Sequence, residues 1–161
     1  MNVFDFALKI EEDGKAHYEK LATETTIPAL KSIFSLLAAA EQVHHDAIQA
    51  MKNGTDAAQA DSKVLVQAEN ILEKLLKMHE THDTLEVDSD GYEHAVRAEE
   101  DSISFYEEAA KKENKENVRN LLLMLAGEEK KHLSIVENIY DFVERPRTFL
   151  ATAEFSNLKG L

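Results

Sequence analysis

The sequence contains no cysteine and no tryptophan, and only 2 prolines and 5 glycines occur in its 161 residues. Without cysteine the chain can form no disulfide and no thiolate-bound metal site. Proline and glycine are the residues that most disfavour helices, so their scarcity removes the usual helix breakers. Hydrophobic residues make up 43% and charged residues 30% of the chain. This composition predicts a compact, mostly helical protein that forms one domain over residues 1–161.

Positive charge is also scarce. The chain has 18 lysine and arginine residues against 31 aspartate and glutamate residues, which leaves a formal net charge of −13. Such a surface repels phosphate backbones and anionic lipids, so neither nucleic acid nor membrane is an expected partner. No apolar run is long enough to span a bilayer, and the N-terminal residues show no basic region followed by an apolar one. We therefore expect no secretory signal and a cytoplasmic location.

Four segments carry apolar residues at the helical period, and a weaker fifth lies between the second and the third. The predicted helices cover approximately residues 3–23, 28–53, 62–79, 92–112 and 116–144. Pro28 suits the first turn of the second helix, and Pro146 is expected to stop the last one. Asp61 or Ser62 is expected to cap the middle helix, and an acidic, turn-like stretch is predicted from Glu80 to Gly91.

The connections within each pair of long helices are short, which predicts two antiparallel helical hairpins over approximately residues 3–53 and 92–145. The middle segment then crosses from one hairpin to the other. The expected fold is an all-α antiparallel four-helix bundle, with an additional helix in the crossover between the second and third bundle helices.

An internal repeat links the two hairpins, because the two halves of the chain match when one is shifted by 88 positions. In each half a Glu is followed 30 residues later by a Glu-x-x-His motif. The recurring residues are Glu11, Glu41 and His44 in the first half, and Glu99, Glu129 and His132 in the second. A lone Glu-x-x-His is common by chance in a chain this rich in Glu. Two copies at one spacing indicate a shared role.

These six residues all fall on the helix faces that should point into the bundle core. A buried carboxylate costs several kcal/mol unless something compensates it, and four together also repel. The inward positions around them hold no lysine or arginine, whereas two divalent cations would balance four carboxylates. Each Glu and His at i, i+3 share a helix face, so both can reach one metal centre. The alternative is that Glu-rich surface helices produced these matches and that the six side chains are solvated.

Tyr18 and Tyr106 recur in the same repeat, each seven residues after its Glu and on the same helix face. They have two compatible interpretations. Both are buried aromatic residues of the core, or both use their hydroxyl groups to orient the carboxylates that bind metal.

At this point the sequence resembles the ferritin-like superfamily, and most of all its rubrerythrin-related di-iron proteins. The resemblance covers approximately residues 3–52 and 92–144, and it includes Gly14 and Tyr18 beside the recurring Glu and His residues. It implies two bound iron ions, for which Glu41 and Glu129 would be the bridging ligands. Glu11 and His44 would complete one site, and Glu99 and His132 the other. Nitrogen and oxygen ligands also accept manganese and zinc.

The chain departs from full-length rubrerythrins in two ways. It has no cysteine-rich iron module for electron delivery, and Ser102 stands where those proteins carry an additional ligand Glu. The resemblance still implies an oxidoreductase, expected as a homodimer, that reacts with O2 or hydrogen peroxide and takes electrons from an external donor protein. Bacterioferritins share the pattern of six ligands, so iron oxidation for storage or sequestration is an alternative. A metal-free helical interaction module is another.

Overall fold

The computed structural model describes residues 2–55, 63–77 and 89–159, with side chains in the last range described for residues 90–143. Five α-helices make up these residues: α1 Val3–Glu24, α2 Pro28–Lys52, α3 Val64–Lys77, α4 Ser89–Lys112 and α5 Glu116–Lys159. Helices α1 and α2 form one hairpin, α4 and α5 form the other, and α3 packs against α2 and α5. This is the predicted all-α bundle of two helical hairpins with an additional helix in the crossover.

Local chemistry explains where the helices of the first hairpin begin and end. The Asn2 side chain accepts a hydrogen bond of 2.9 Å from the backbone N–H of Asp5 and so caps α1. Ile27 has an extended backbone ahead of Pro28, which occupies the first turn of α2. Gly54 follows the end of α2 with a φ of +83°, a conformation that suits glycine.

Two boundaries differ from the sequence predictions. The expectation that Pro146 stops the last helix is wrong, because α5 continues to Lys159. A proline removes one backbone N–H donor and favours a bend, but it does not force a helix to end. The acidic stretch does not extend as a turn to Gly91, because α4 begins at Ser89, where Asp90 suits the positive end of the helix dipole. Asp61, Ser62 and residues 78–88 lie outside the described residues.

The buried apolar side chains form two clusters that share no residue. One surrounds Phe34, Leu37 and Ile139 and includes the inner face of α3. The other surrounds Leu121, Leu125 and Ile48 at the opposite end of the bundle. The layer between them holds buried polar side chains, so the core is interrupted at the middle of the bundle. Within the part of the chain that the structure describes, every helix is too short or too polar to cross a lipid bilayer.

Candidate metal centre

The structure brings all six predicted ligand residues together in the layer between the two apolar clusters. Four helices supply them: Glu11 comes from α1, Glu41 and His44 from α2, Glu99 from α4, and Glu129 and His132 from α5. None of the six is more than 5% exposed. They therefore do not lie on a solvated surface, which was the alternative interpretation of the repeat.

Four of these residues form the centre of the cluster. One nitrogen or oxygen atom from each of Glu41, His44, Glu129 and His132 lies within 4.8 Å of the others, so the group could hold a metal ion. His132 Nδ1 is 2.9 Å from Glu41 Oε1, and His44 Nδ1 is 3.0 Å from Glu129 Oε1. The second oxygen of Glu129, Oε2, is 3.4 Å from His132 Nδ1. Glu129 thus presents one oxygen to each histidine.

The remaining two carboxylates flank this centre on opposite sides. Glu11 Oε2 is 3.4 Å from His44 Nδ1, and Glu99 Oε1 is 3.5 Å from His132 Nδ1. Each flanking Glu therefore belongs with one histidine. The arrangement has two halves related by the sequence repeat, and Glu129 contacts both of them.

Two tyrosine hydroxyl groups hold the flanking carboxylates in place. Tyr18 donates a hydrogen bond of 2.5 Å to Glu99 Oε1, and Tyr106 donates one of 2.6 Å to Glu11 Oε1. Each bond runs from one hairpin to the Glu of the other hairpin. Burial and the adjacent carboxylates raise the pKa of both tyrosines well above the usual value, so both hydroxyls keep their protons and remain donors.

Gly14 leaves the space that the Glu41 carboxylate occupies. A Cβ atom at position 14 would lie 3.1 Å from Glu41 Oε2 and 3.3 Å from its Cδ. Any larger residue would therefore displace Glu41 by a few tenths of an ångström. The close approach of α1 to Glu41 explains why glycine stands inside a helix, where it is otherwise unfavourable.

The carboxyl groups of Glu41 and Glu11 have opposite protonation preferences. Burial and repulsion by Glu11 raise the pKa of Glu41 well above its usual range. Burial and repulsion by Glu41 likewise raise the pKa of Glu129 well above its usual range. Burial also opposes ionisation of Glu11, but a hydrogen bond with Glu41 and the charge of His44 lower the pKa of Glu11 to about 2.

The second half behaves similarly. Burial opposes ionisation of Glu99, but a hydrogen bond with Glu129 and the charge of His132 lower its pKa. Burial also opposes charge on the histidines, yet Glu11 raises the pKa of His44 well above its usual value, and Glu129 raises that of His132. In the metal-free cluster these shifts favour protons on two carboxyl groups and on both imidazoles, which would bring its net charge to zero.

The donor set fits divalent metal ions. Both ring nitrogens of His132, and the oxygens Glu11 Oε2, Glu41 Oε1 and Glu99 Oε2, are buried. They have no hydrogen-bond partner among the described residues unless a carboxyl group carries a proton. Buried polar atoms are nearly always satisfied, so these atoms need protons or a cation. Two divalent ions would replace these protons and could bind the carboxylate oxygens together with one nitrogen of the His132 ring.

Sequence reasoning missed Glu128, which is buried with only 3% exposure. Its Oε1 lies 3.9 Å from His44 Nε2, and its Oε2 is 3.1 Å from Lys131 Nζ. Glu128 therefore faces the His44 imidazole from the side of Nε2, at a distance too long for a direct hydrogen bond. The repeat gave no signal for it, because the equivalent position in the first half is Ala40. Its i, i+3 spacing to Lys131 was the only available clue.

The fold and the cluster define a ferritin-like helical bundle with a buried Glu/His group that could bind metal. A sequence model of the rubrerythrin family matches residues 2–140, which include all six residues of the cluster. The chain therefore belongs to the rubrerythrin family. Comparisons with curated proteins and with solved structures gave no significant match.

Proposed function

We propose that this protein is a di-iron oxidoreductase that reduces O2 or hydrogen peroxide with electrons from an external donor protein. The observation that carries the proposal is the convergence of four carboxylates and two imidazoles in a buried layer, with both apolar clusters around it. Such a cluster is costly unless cations occupy it. Membership of the rubrerythrin family makes iron the first candidate, and manganese and zinc suit the same donors.

Each residue of the cluster has a distinct expected role. Glu129 would bridge two ions, because its two oxygens face different histidines. Glu41 would bridge from the opposite hairpin, at the position that Gly14 keeps open. Glu11 with His44 would complete one site and Glu99 with His132 the other, as the closest contacts between these pairs suggest.

Two ferrous ions in this cluster would supply the two electrons that reduce hydrogen peroxide, with two protons, to two molecules of water. The protein's own part is to hold the ligands and to exclude competing reactions. Tyr18 and Tyr106 fix the flanking carboxylates, and the two apolar clusters cover the centre towards the two ends of the bundle. The hydroxyl of each tyrosine also keeps a proton at a ligand carboxylate.

Electrons for further turnovers would come from a donor protein, since these 161 residues contain no cysteine that could hold a thiolate-bound iron relay. A net charge of −13 favours a donor protein with a basic docking patch. Electrostatic attraction of this kind weakens with salt, so the rate with a donor should fall as ionic strength rises. We expect a cytoplasmic homodimer as the working form.

Iron oxidation for storage is the alternative, and Ser102 is the residue that favours it. Ser102 stands where rubrerythrins carry an additional ligand carboxylate, and its hydroxyl is occupied by a 2.9 Å hydrogen bond to the backbone carbonyl of Ala98. The centre thus has the six ligands that storage proteins also use. A storage protein would assemble into a very large shell, whereas the oxidoreductase would be a small oligomer, so the mass in solution separates the two.

The decisive experiment is stopped-flow oxidation of the reduced, iron-loaded protein. Hydrogen peroxide or O2 should oxidise it in a single turnover, and steady cycling should require an added electron donor. A reduced form that stays unreactive towards both oxidants for minutes would reject the oxidoreductase and leave storage or a non-redox role. The same sample with Glu129→Ala, which should lack the metal centre, is the control for oxidation by adventitious iron.

A further inference from the structure

A cleft of about 410 Å³ opens between α1 and α4, which belong to different hairpins. Glu41, Glu99 and Tyr18 line it, and because all three are buried they form its inner part. Among the six residues of the metal cluster, Glu99 is the most exposed, at 5%. The cleft therefore connects the surface with one edge of the cluster.

The two walls of this cleft include residues at equivalent positions of the sequence repeat. Gly14 on α1 and Ser102 on α4 occupy equivalent positions of the repeat, and both are small. On either side of them the walls touch. The rings of Phe6 and Phe105 stack with centroids 5.5 Å apart at one end, and those of His17 and His94 meet at 4.5 Å at the other. The opening therefore lies between the two ring contacts, where Gly14 and Ser102 are too small to close it.

The short side chain of Ser102 leaves space in the cleft, and its hydroxyl group is already used within α4. Its hydroxyl donates back to the Ala98 carbonyl of its own helix, at 2.9 Å. Gly14 cannot be enlarged without moving Glu41. The described hydrogen bond of the Ser102 side chain involves no residue of the metal cluster, so position 102 is the better place at which to alter the width of the cleft.

The charged groups at the mouth of the cleft are acidic. Asp13 and Asp101, again equivalent in the repeat, are exposed there, whereas Glu41 and Glu99 are buried members of the metal cluster. The lining residues that the structure describes include no lysine or arginine. Anions therefore meet repulsion at the mouth, while apolar side chains such as Ile10 and Phe105 accept small uncharged molecules.

We propose that small uncharged molecules reach the metal centre through the α1–α4 cleft, meet it at the Glu41–Glu99 edge, and are selected for size by the residue at position 102. The proposal rests on the proposed function only for the identity of the molecule, which would be O2 or hydrogen peroxide. Glu99 lines the cleft, whereas Glu11, His44 and His132 do not, so the incoming molecule meets the half of the centre to which Glu99 belongs.

The first test uses xenon, an uncharged probe that needs no metal chemistry. Crystals of the wild-type protein under xenon pressure should show density between Gly14 and Ser102. Ser102→Leu should abolish that density, because the added side chain fills the space. Ser104→Leu makes the same chemical change on an exposed position two residues along α4, and it should keep the xenon. Absence of xenon from the wild-type cleft, or its persistence in Ser102→Leu, would overturn the proposal.

The second test measures size selection in the iron-loaded, reduced protein, after confirmation that each variant holds the same amount of metal. Ser102→Leu should slow oxidation by hydrogen peroxide about tenfold or more, a usual effect of blocking a steric fit. Ala98→Leu, on the same wall, should act in the same direction, and Ser104→Leu should match the wild type. Wild-type protein should also react faster with hydrogen peroxide than with tert-butyl hydroperoxide.

The two tests separate this proposal from the proposed function. A protein that binds xenon in the cleft but reacts with no oxidant retains the access route and loses the oxidoreductase assignment. A protein that is oxidised at the wild-type rate when leucine fills the cleft keeps its function, and the proposed route is wrong.

Discussion

The imidazole rings of His44 and His132 lie nearly parallel at the middle of the bundle, with centroids 5.3 Å apart and planes 18° from each other. Without metal, the surrounding carboxylates favour the doubly protonated, cationic form of each ring, although two cationic rings at this distance repel each other. Two metal ions would remove that conflict, because each would bind a neutral imidazole. The pair of rings thus links the geometry of the cluster to its dependence on metal.

The crossed hydrogen bonds of the two tyrosines give a matched pair of variants. Tyr18→Phe removes the donor to Glu99, and Tyr106→Phe removes the donor to Glu11. Each should lower the affinity for one of two ions by about 10- to 100-fold, the usual effect of losing a group that orients a ligand. Titration with metal followed by calorimetry would resolve the two steps. Equal binding by both variants and the wild type would show that the hydroxyls do not orient the ligands.

Substitution at Gly14 should separate fold stability from metal binding. In Gly14→Ala the new Cβ would lie 3.1 Å from Glu41 Oε2 and push the carboxylate away from its position. Alanine favours a helix over glycine by up to about 1 kcal/mol, so the metal-free variant should be as stable as the wild type or more so. Its metal affinity should fall.

Gly127→Ala is the control for that experiment. Gly127 is exposed on α5, and a Cβ there would meet nothing within 4 Å. The Gly127→Ala variant should gain the same helical stability without any loss of metal affinity. If both variants bound metal equally well, Gly14 would not be needed for the position of Glu41. Thermal unfolding of the chelated protein and metal titration supply the two readouts.

The metal-free cluster should make stability fall as pH rises above about 4.5, the usual pKa of Glu. Glu41 and Glu129 have raised pKa values, so above that pH they keep protons in the folded state that the unfolded chain loses. His44 and His132, also raised, add a further fall above their usual pKa of 6.5. Denaturant unfolding of chelated protein across this pH range measures the slope.

Two further observations test whether this pH dependence of stability arises from the buried cluster. Below pH 4.5 the trend should reverse, because Glu11 and Glu99 have lowered pKa values and stay ionised only in the fold. The double variant Glu41→Gln with Glu129→Gln has no carboxyl protons to lose at these two positions. Its free energy of unfolding should therefore change less with pH between pH 4.5 and 6.5. General repulsion in an acidic protein would act on both forms alike. A double variant with the wild-type slope would contradict the raised pKa values.

Sequence patterning predicted the bundle and the relative placement of the six cluster residues because both depend on local periodicity and on an internal repeat. The spacing of Glu11 to His44 is repeated from Glu99 to His132, and inward-facing carboxylates need protons or a cation whatever the details of packing. The structure places these residues together. Their individual roles as metal ligands stay a prediction.

The features that sequence reasoning missed depend on contacts between helices. The tyrosine spacing does not show that Tyr18 reaches Glu99 on the other hairpin, because that bond depends on how the hairpins meet. Glu128 has no counterpart in the repeat, and only the packing of α5 against α2 brings it behind His44. Pro146 was a poor marker of the end of α5, because a local preference does not decide where a long helix stops.

Metal content is the measurement that tests the central claim most directly. Protein from its native host, or loaded with ferrous iron and desalted, should hold two metal ions per chain by mass spectrometry. Glu129→Ala should lose both, since its two oxygens face both halves of the cluster, whereas His44→Ala should mainly weaken one. Glu137→Ala, an exposed position on the same helix, should keep two. Full metal retention in Glu129→Ala would contradict the bridging role, and a wild-type protein that binds no metal would contradict the account as a whole.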